Sequence, residues 1–312
     1  MSEVLFRPNT DRPNASSLSQ KLCLALCRVF STGRLKAYGL RQRAIGGRFE
    51  SAEQYVNDRV SNVEAYRDAF GTFCRFRGKT VMELGCSSGY LLAAFRNQEE
   101  FNAIGAELDP IPLRKARVTY GDRIQFIQST VSTVPLPDES IDVIYCVDTV
   151  EHLSRPREML LDCFRILRPG GRLLIHWHPW LGPYGSHLED IIPFPWAHAV
   201  FSMDTLLRVA AELYDSPEYR PACYWFDEET GKRRANPYLD RQRWKEFLNR
   251  MTVRQFRRLL KELPFRVVAF QRLGFGGKAY KAARVFRSLA QVPLADEFFL
   301  KAVVCVLQKP PI

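Results

Sequence analysis

Two acids and a glycine turn open the chemistry of this chain. In "VMELGCSSG", residues 81–89, an apolar run ends on Glu83 and turns through Gly85, Cys86, Ser87, Ser88 and Gly89 into a helical stretch. In "AIGAELDP" a second apolar run ends on Glu107. A glycine turn between strand and helix is where backbone amides usually hold phosphate, in the spacing GxGxxG. That spacing is missing here, and Glu83 would repel a phosphate in a partly dry cleft. A cationic, phosphate-free ligand would gain from the same carboxylate, and S-adenosylmethionine is such a ligand. Glu107 stands where an acid at a strand tip accepts hydrogen bonds from a ribose diol.

Further side chains able to act as bases or ligands follow. Asp148, Glu151 and His152 have the spacing i, i+3, i+4, which predicts one shared helix face. Such a trio could hold a divalent ion, or its acid and imidazole could simply bond to nearby backbone; the reading adopted is no metal. "HWHP" puts His176 and His178 on one side of a strand, and His187 follows among the aromatic residues Phe194, Trp196 and Phe201. Asp148, His152, His178 and His187 are the candidate catalytic groups, with His178 and His187 ranked first as general base. The aromatic trio is expected to form a lid over an apolar or sugar-like acceptor.

The elements that would position these groups alternate regularly. Strand-like runs "TVMEL", "FNAIGAEL", "RIQFIQ", "IDVIYCV" and "GRLLIHWH" are separated by helical ones. That order predicts a parallel sheet with helices on both faces and right-handed crossovers. "RPGG" after "CFRIL" reads as a helix stop. "FRVVAFQRL" and "FFLKAVVCVLQK" are expected to complete the edge of the sheet. Residues 1–75 read as an N-terminal helical cap and residues 76–312 as the main domain, within which 181–250 form a pocket-building insertion. "MTVRQFRRLLKEL" opens on a capping box, Thr252 with Gln255. "ANPYLD", residues 235–240, is taken as a loop turn.

Composition sets the outer limits. The 312 residues are 46% hydrophobic and 25% charged, as in globular proteins. No apolar run approaches the ~20 residues needed to cross a bilayer, and no secretion signal is visible, so a cytoplasmic protein is expected. The eight cysteines form no CxxC pair and read as free thiols. The net charge of +11 is concentrated partly between Lys21 and Arg48, where no acid occurs. That basic stretch fits either a solvated cap helix or peripheral contact with an anionic membrane or another polyanion. No nucleic-acid-binding module is recognisable, so no specific nucleic-acid partner is expected.

In order and spacing, "VMELGCSSG", "AIGAELDP", "PLPDESIDVIYCVDTVEHL" and "ILRPGGRLLI" resemble the successive motifs of class I S-adenosylmethionine-dependent methyltransferases. Within them they are most similar to the group containing the ubiquinone-biosynthesis O-methyltransferases and many small-molecule methyltransferases. The resemblance covers about residues 78–178. It implies a Rossmann-like α/β fold with a seven-stranded, mostly parallel sheet whose last strand is antiparallel. It also implies S-adenosyl-L-methionine as cofactor. Glu83, Gly85, Cys86, Ser87 and Gly89 would surround its methionine part, and Glu107 and Leu108 its ribose. Thr130 and Val131 would flank the adenine, and Cys146 would lie nearby. Ser87 replaces the usual middle glycine, so its backbone is expected to avoid glycine-only torsions. Thr130 replaces the usual aspartate that accepts from adenine. The expected reaction is methyl transfer to an oxygen of a small-molecule or glycan-like acceptor. An RNA-modifying enzyme and a non-catalytic protein of the same fold are the alternatives.

Overall fold

The computed structural model describes residues 17–37, 45–47, 49–227, 230–275, 288–292 and 296–311. Seven strands form one sheet: β1 (Thr80–Leu84), β2 (Asn102–Glu107), β3 (Gln125–Gln128), β4 (Ile141–Val147), β5 (Leu167–Trp177), β6 (Arg266–Gly274) and β7 (Leu300–Gln308). Their spatial order is β3-β2-β1-β4-β5-β7-β6. The first five pair in parallel, and β7 runs antiparallel to both β5 and β6. Strand order therefore reverses between β1 and β4, which places a binding crevice at the carboxyl ends of those two strands.

Helices α1 (Leu18–Ala37), α2 (Ala52–Ser61) and α3 (Val63–Gly71) precede the sheet. Around it lie α4 (Tyr90–Gln98), α5 (Pro110–Tyr120), α6 (Pro156–Ile166), α7 (Met203–Tyr214), α8 (Arg241–Phe247) and α9 (Val253–Glu262). Alternation along the strands feeds two cores. Met82, Leu84, Ile144, Cys146 and Trp177 face one side, with Cys163 of α6 and Phe256 of α9. Val81, Tyr145 and Leu174 face the other, with Leu92 of α4 and Phe70 of α3. Glu83 shares a side with Val81, so it belongs to the second face.

Local signals explain several ends. Ser51 caps α2 by accepting the Gln54 N–H, and Asp109 caps α5 with Pro110 next. The Thr252–Gln255 capping box opens α9 as expected. "RPGG" differs from its reading: α6 already ends at Ile166, and the four residues form an irregularity within β5, Gly170 having φ +79°.

The 181–250 segment builds a third core. There Leu206, Val209 and Leu213 of α7 pack with Cys23 and Cys27 of α1. A Gln20–Glu212 hydrogen bond and an Arg28–Glu218 ion pair tie α1 to the same region. It is thus α2, not α1, that reaches the sheet's crevice. Part of the basic Lys21–Arg48 stretch and residues 1–16 lie outside the described residues. The described cysteines are free. No helix among the described residues is long and apolar enough to cross a membrane.

Candidate active site

The turn after β1 depends on glycine at two points. Gly85 has φ +76°, and a Cβ there would sit 2.6 Å from the Thr149 side chain. Gly89, φ +77°, starts α4 with its α-carbon against the Phe126 ring. The Ser87 backbone is left-handed, φ +48°, a conformation open to a non-glycine residue at a cost of about 1–2 kcal/mol. Its amide repays the turn by donating to Glu107 Oε2 at 2.8 Å. The Leu108 and Asp109 amides donate to Glu107 Oε1 at 2.8 and 2.9 Å. Glu107 thus binds the glycine turn to the end of β2, while the half-exposed Leu108 follows it.

Glu83 is 3% exposed, and Tyr145 of β4 donates to its Oε2 at 3.2 Å. Burial pushes its carboxyl up to about 8, against the pull of the Tyr145 hydroxyl and the Arg59 guanidinium. Cys86 is buried beside Gly105, its thiol raised by the same desolvation.

Two adenine-side expectations change. The Thr130 hydroxyl is engaged within its own loop, accepting the Thr133 N–H at 2.9 Å and meeting the Thr133 hydroxyl at 2.8 Å. Neighbouring Val131 is exposed, as a ring-contacting residue would need to be. Cys146 is fully buried in the core on the face opposite Glu83, because successive strand residues alternate sides. It has no surface to offer a ligand in the crevice.

The Asp148–Glu151–His152 run does not form one helix face. Asp148 sits at φ +52°, and only Val150–His152 make a short 3-10 turn. Asp148 turns toward β5: its Oδ1 lies 2.9 Å from His176 Nδ1 and 3.2 Å from His178 Nε2. Arg59 of α2 approaches Oδ2 at 3.6 Å. Burial alone would raise Asp148, but His178 and His176 hold it well below the usual carboxylate range. Despite its own burial, His178 is raised to about 9 by Asp148. Its Nδ1 is 2.6 Å from the Lys301 carbonyl, which can only accept, so both ring nitrogens of His178 act as donors. That makes His178 a resting cation and a poor general base.

Glu151 and His152 face elsewhere, toward His187. His187 Nε2 is 3.9 Å from Glu151 Oε1, and the His152 and His187 rings are 5.0 Å apart. Burial, with Asp148 nearby, pushes Glu151 up to about 8. Burial and the neighbouring His152 and His178 lower His187 to about 3, and burial lowers His152 as well. His187 is neutral but too weakly basic to lead proton abstraction.

These groups border a cavity of about 820 Å³. Asp148, His152, His176, His178 and His187 line it, together with Arg59 and Tyr66 from the helical segment before β1. The glycine turn and Glu83 are not on its wall; Arg59 stands between, facing both Asp148 and Glu83. The expected lid is corrected here. Phe194 and Phe201 are buried in the third core, and Trp196 donates to the Phe298 carbonyl, so none of the three lines the cavity. Tyr224, Trp225, Tyr238, Trp244 and Phe247 supply the aromatic wall instead. "ANPYLD" is the turn it was taken for: Asn236 accepts the Tyr238 N–H and donates to the Ala211 carbonyl. Arg59 and Tyr145 matter to the site but were not among the sequence candidates, whereas His176 was a strand-end candidate ranked below His178 and His187. For His176 the signal was present in "HWHP"; for Arg59 no local signal exists.

Residues 82–175 match the family model described as a methyltransferase domain. Over 111 residues the chain is 31% identical to an uncharacterized methyltransferase of Mycobacterium bovis (strain BCG / Pasteur 1173P2), a stretch covering 35% of this chain and 43% of that protein. It is 32% identical over 111 residues to an uncharacterized methyltransferase of Mycobacterium avium (strain 104), covering 35% and 44%. The match therefore spans less than half the length of either relative. Among solved structures, a chain from the complex between the Haloferax volcanii Trm112 methyltransferase activator and a methyltransferase is similar in fold. Its TM-score is 0.51 at 15% identity, covering 82% of this chain and 93% of that one. The matched stretch and the sheet order identify residues 82–175 as a methyltransferase domain within a sheet of the Rossmann-like kind.

Proposed function

We propose that this chain transfers the methyl group of S-adenosylmethionine to an oxygen of a small-molecule or glycan-like acceptor held in the 820 Å³ cavity. The observation that carries the reading is the Asp148–His176 pair at the carboxyl ends of β4 and β5, on the cavity wall, with Thr149 next to Asp148 in the chain lying against Gly85. With Nδ1–H donated to Asp148, His176 presents Nε2 as the free lone pair. In the step proposed, Nε2 takes the acceptor's O–H proton as the oxygen attacks the methyl carbon. S-adenosylmethionine, held over residues 85–89, would supply the methyl group and depart as a neutral thioether that keeps the C–S electron pair. Holding the oxygen in line within the aromatic-walled cavity would supply much of the rate.

The cofactor would lie over residues 85–89. An ionised Glu83 would attract its positive charges, Glu107 would meet the ribose diol, and the Thr130–Val131 loop would border the adenine. The aromatic wall supports a ring or sugar face as acceptor, since such rings stack on apolar faces. The test is incubation with methyl-labelled cofactor and separate small-molecule, glycan and RNA fractions. Label in a small-molecule or glycan product is the expected result. Label confined to RNA selects an RNA-modifying enzyme, and calorimetry without cofactor binding selects a non-catalytic protein.

A further inference from the structure

We propose that Glu151, His152 and His187 form a divalent-metal site on the inner wall of the cavity. One donor atom from each lies within 4.8 Å of the others: a carboxylate oxygen and two imidazole nitrogens. Glu151 is 3% exposed; its Oε1 accepts the His178 N–H at 3.1 Å, whereas its Oε2 has no hydrogen-bond partner. A buried carboxylate oxygen left without a donor is costly, and a cation among these groups would satisfy it. His152 is oriented for this role. Its Nδ1 is 2.9 Å from the Phe247 carbonyl, so the proton sits on Nδ1 and the lone pair on Nε2. His187 arrives from the insertion on a left-handed residue, φ +54°, a backbone strain of the sort stored at functional sites.

The neighbouring trio Asp148, His176 and His178 has comparable spacing but serves less well. Asp148 Oδ1 is already shared by two imidazoles, and Arg59 faces Oδ2, so an ion there would sit beside existing positive charge. Two imidazoles and one carboxylate suit zinc, cobalt or another late first-row ion better than magnesium or calcium. His152 and His187 both line the cavity, so an acceptor oxygen could occupy an open position and be polarised. That role rests on reading the cavity as the acceptor site; ion binding itself does not.

The test uses untagged full-length protein, stripped with chelator and titrated calorimetrically with Co²⁺, Zn²⁺ and Mg²⁺ in the absence of cofactor and acceptor. One Co²⁺ or Zn²⁺ per chain is expected, with a visible Co²⁺ absorption band and a raised melting temperature. His187→Ala and Glu151→Gln should each weaken uptake at least tenfold, whereas His176→Ala should retain it. Should His187→Ala fail to fold, Glu151→Gln carries the test, because its amide oxygen can still accept from His178. Absence of uptake, or uptake indifferent to both substitutions, overturns the site, and loss with His176→Ala moves the ion to Asp148 and overturns it too. Because uptake is read without methyl transfer, failure of either reading leaves the other standing.

Discussion

The Tyr145 hydroxyl donates to Glu83 Oε2 at 3.2 Å inside a core that otherwise keeps the carboxyl protonated up to about pH 8. On the proposed reading, the electrostatic match to a cationic cofactor would be completed only when the cofactor arrives and Glu83 gives up its proton. Arg59, Glu107 and Cys86 also face Glu83, but burial is the largest influence. Calorimetry is expected to show affinity for S-adenosylmethionine rising between about pH 6 and pH 8, by up to about tenfold per unit, and then levelling. Tyr145→Phe, which removes a donor to the charged form, should move that rise to higher pH. In the free protein Glu83 keeps its proton above the ordinary 4.5, so its contribution to stability is full below 4.5 and lost by about 8. Glu83→Gln should accordingly melt higher than the parent at pH 8.5 while binding no cofactor. A flat affinity profile across this range would contradict the assignment.

Glu107 accepts three backbone amides, so its loss acts through the glycine turn as well as through the ribose. Glu107→Ala is expected to abolish labelling of every acceptor fraction. Glu107→Gln keeps the shape but turns one accepting oxygen into a donor and removes the charge from hydrogen bonds that are worth about 1.5–3 kcal/mol each to a charged acceptor. Cofactor affinity should drop at least tenfold, measured by calorimetry, with circular dichroism unchanged.

The sheet and the glycine turn were legible because their signals are local. Strand alternation, the Gly85 and Gly89 spacing and the Thr252–Gln255 box each act within a few residues. The reaction side was less legible because contacts between distant elements decide it. Asp148, Glu151 and His152 look helical in sequence, yet the left-handed backbone at Asp148 sends it to His176, 28 residues away, and leaves Glu151 with His187. Phe194 and Phe201 have the composition of a lid, but the core they share with α1 and α7 claims them. Nor does spacing reveal that Asp148 would bring His176 and His178 together and raise His178.

His176 therefore carries the prediction on chemistry. With a methylated fraction in hand, His176→Ala is expected to lower kcat about 10²–10⁴-fold, the usual share of a general base. KM and cofactor affinity should change little, because neither needs the lone pair. His178→Gln should act differently, raising KM and disturbing Asp148, since His178 positions rather than abstracts. Equal effects of both substitutions on kcat alone would argue against these separate roles.

Gly85 and Gly170 offer a matched test of what the turn requires. Both have similar positive φ, +76° and +79°, so alanine strains the backbone at either by about 1–2 kcal/mol. They differ in surroundings: a Cβ at Gly85 would meet Thr149 at 2.6 Å, whereas nothing lies within 4 Å of one at Gly170. The Thr149 hydroxyl is itself tied to the Leu84 and Val147 carbonyls, so it cannot move aside without breaking bonds that join the ends of β1 and β4. Gly85→Ala should thus cost clearly more stability than Gly170→Ala and should also lose cofactor binding. Gly170→Ala should bind as the parent does, melting only a few degrees lower. If urea unfolding and calorimetry put the two variants level, the close approach of Thr149 is not what holds the turn.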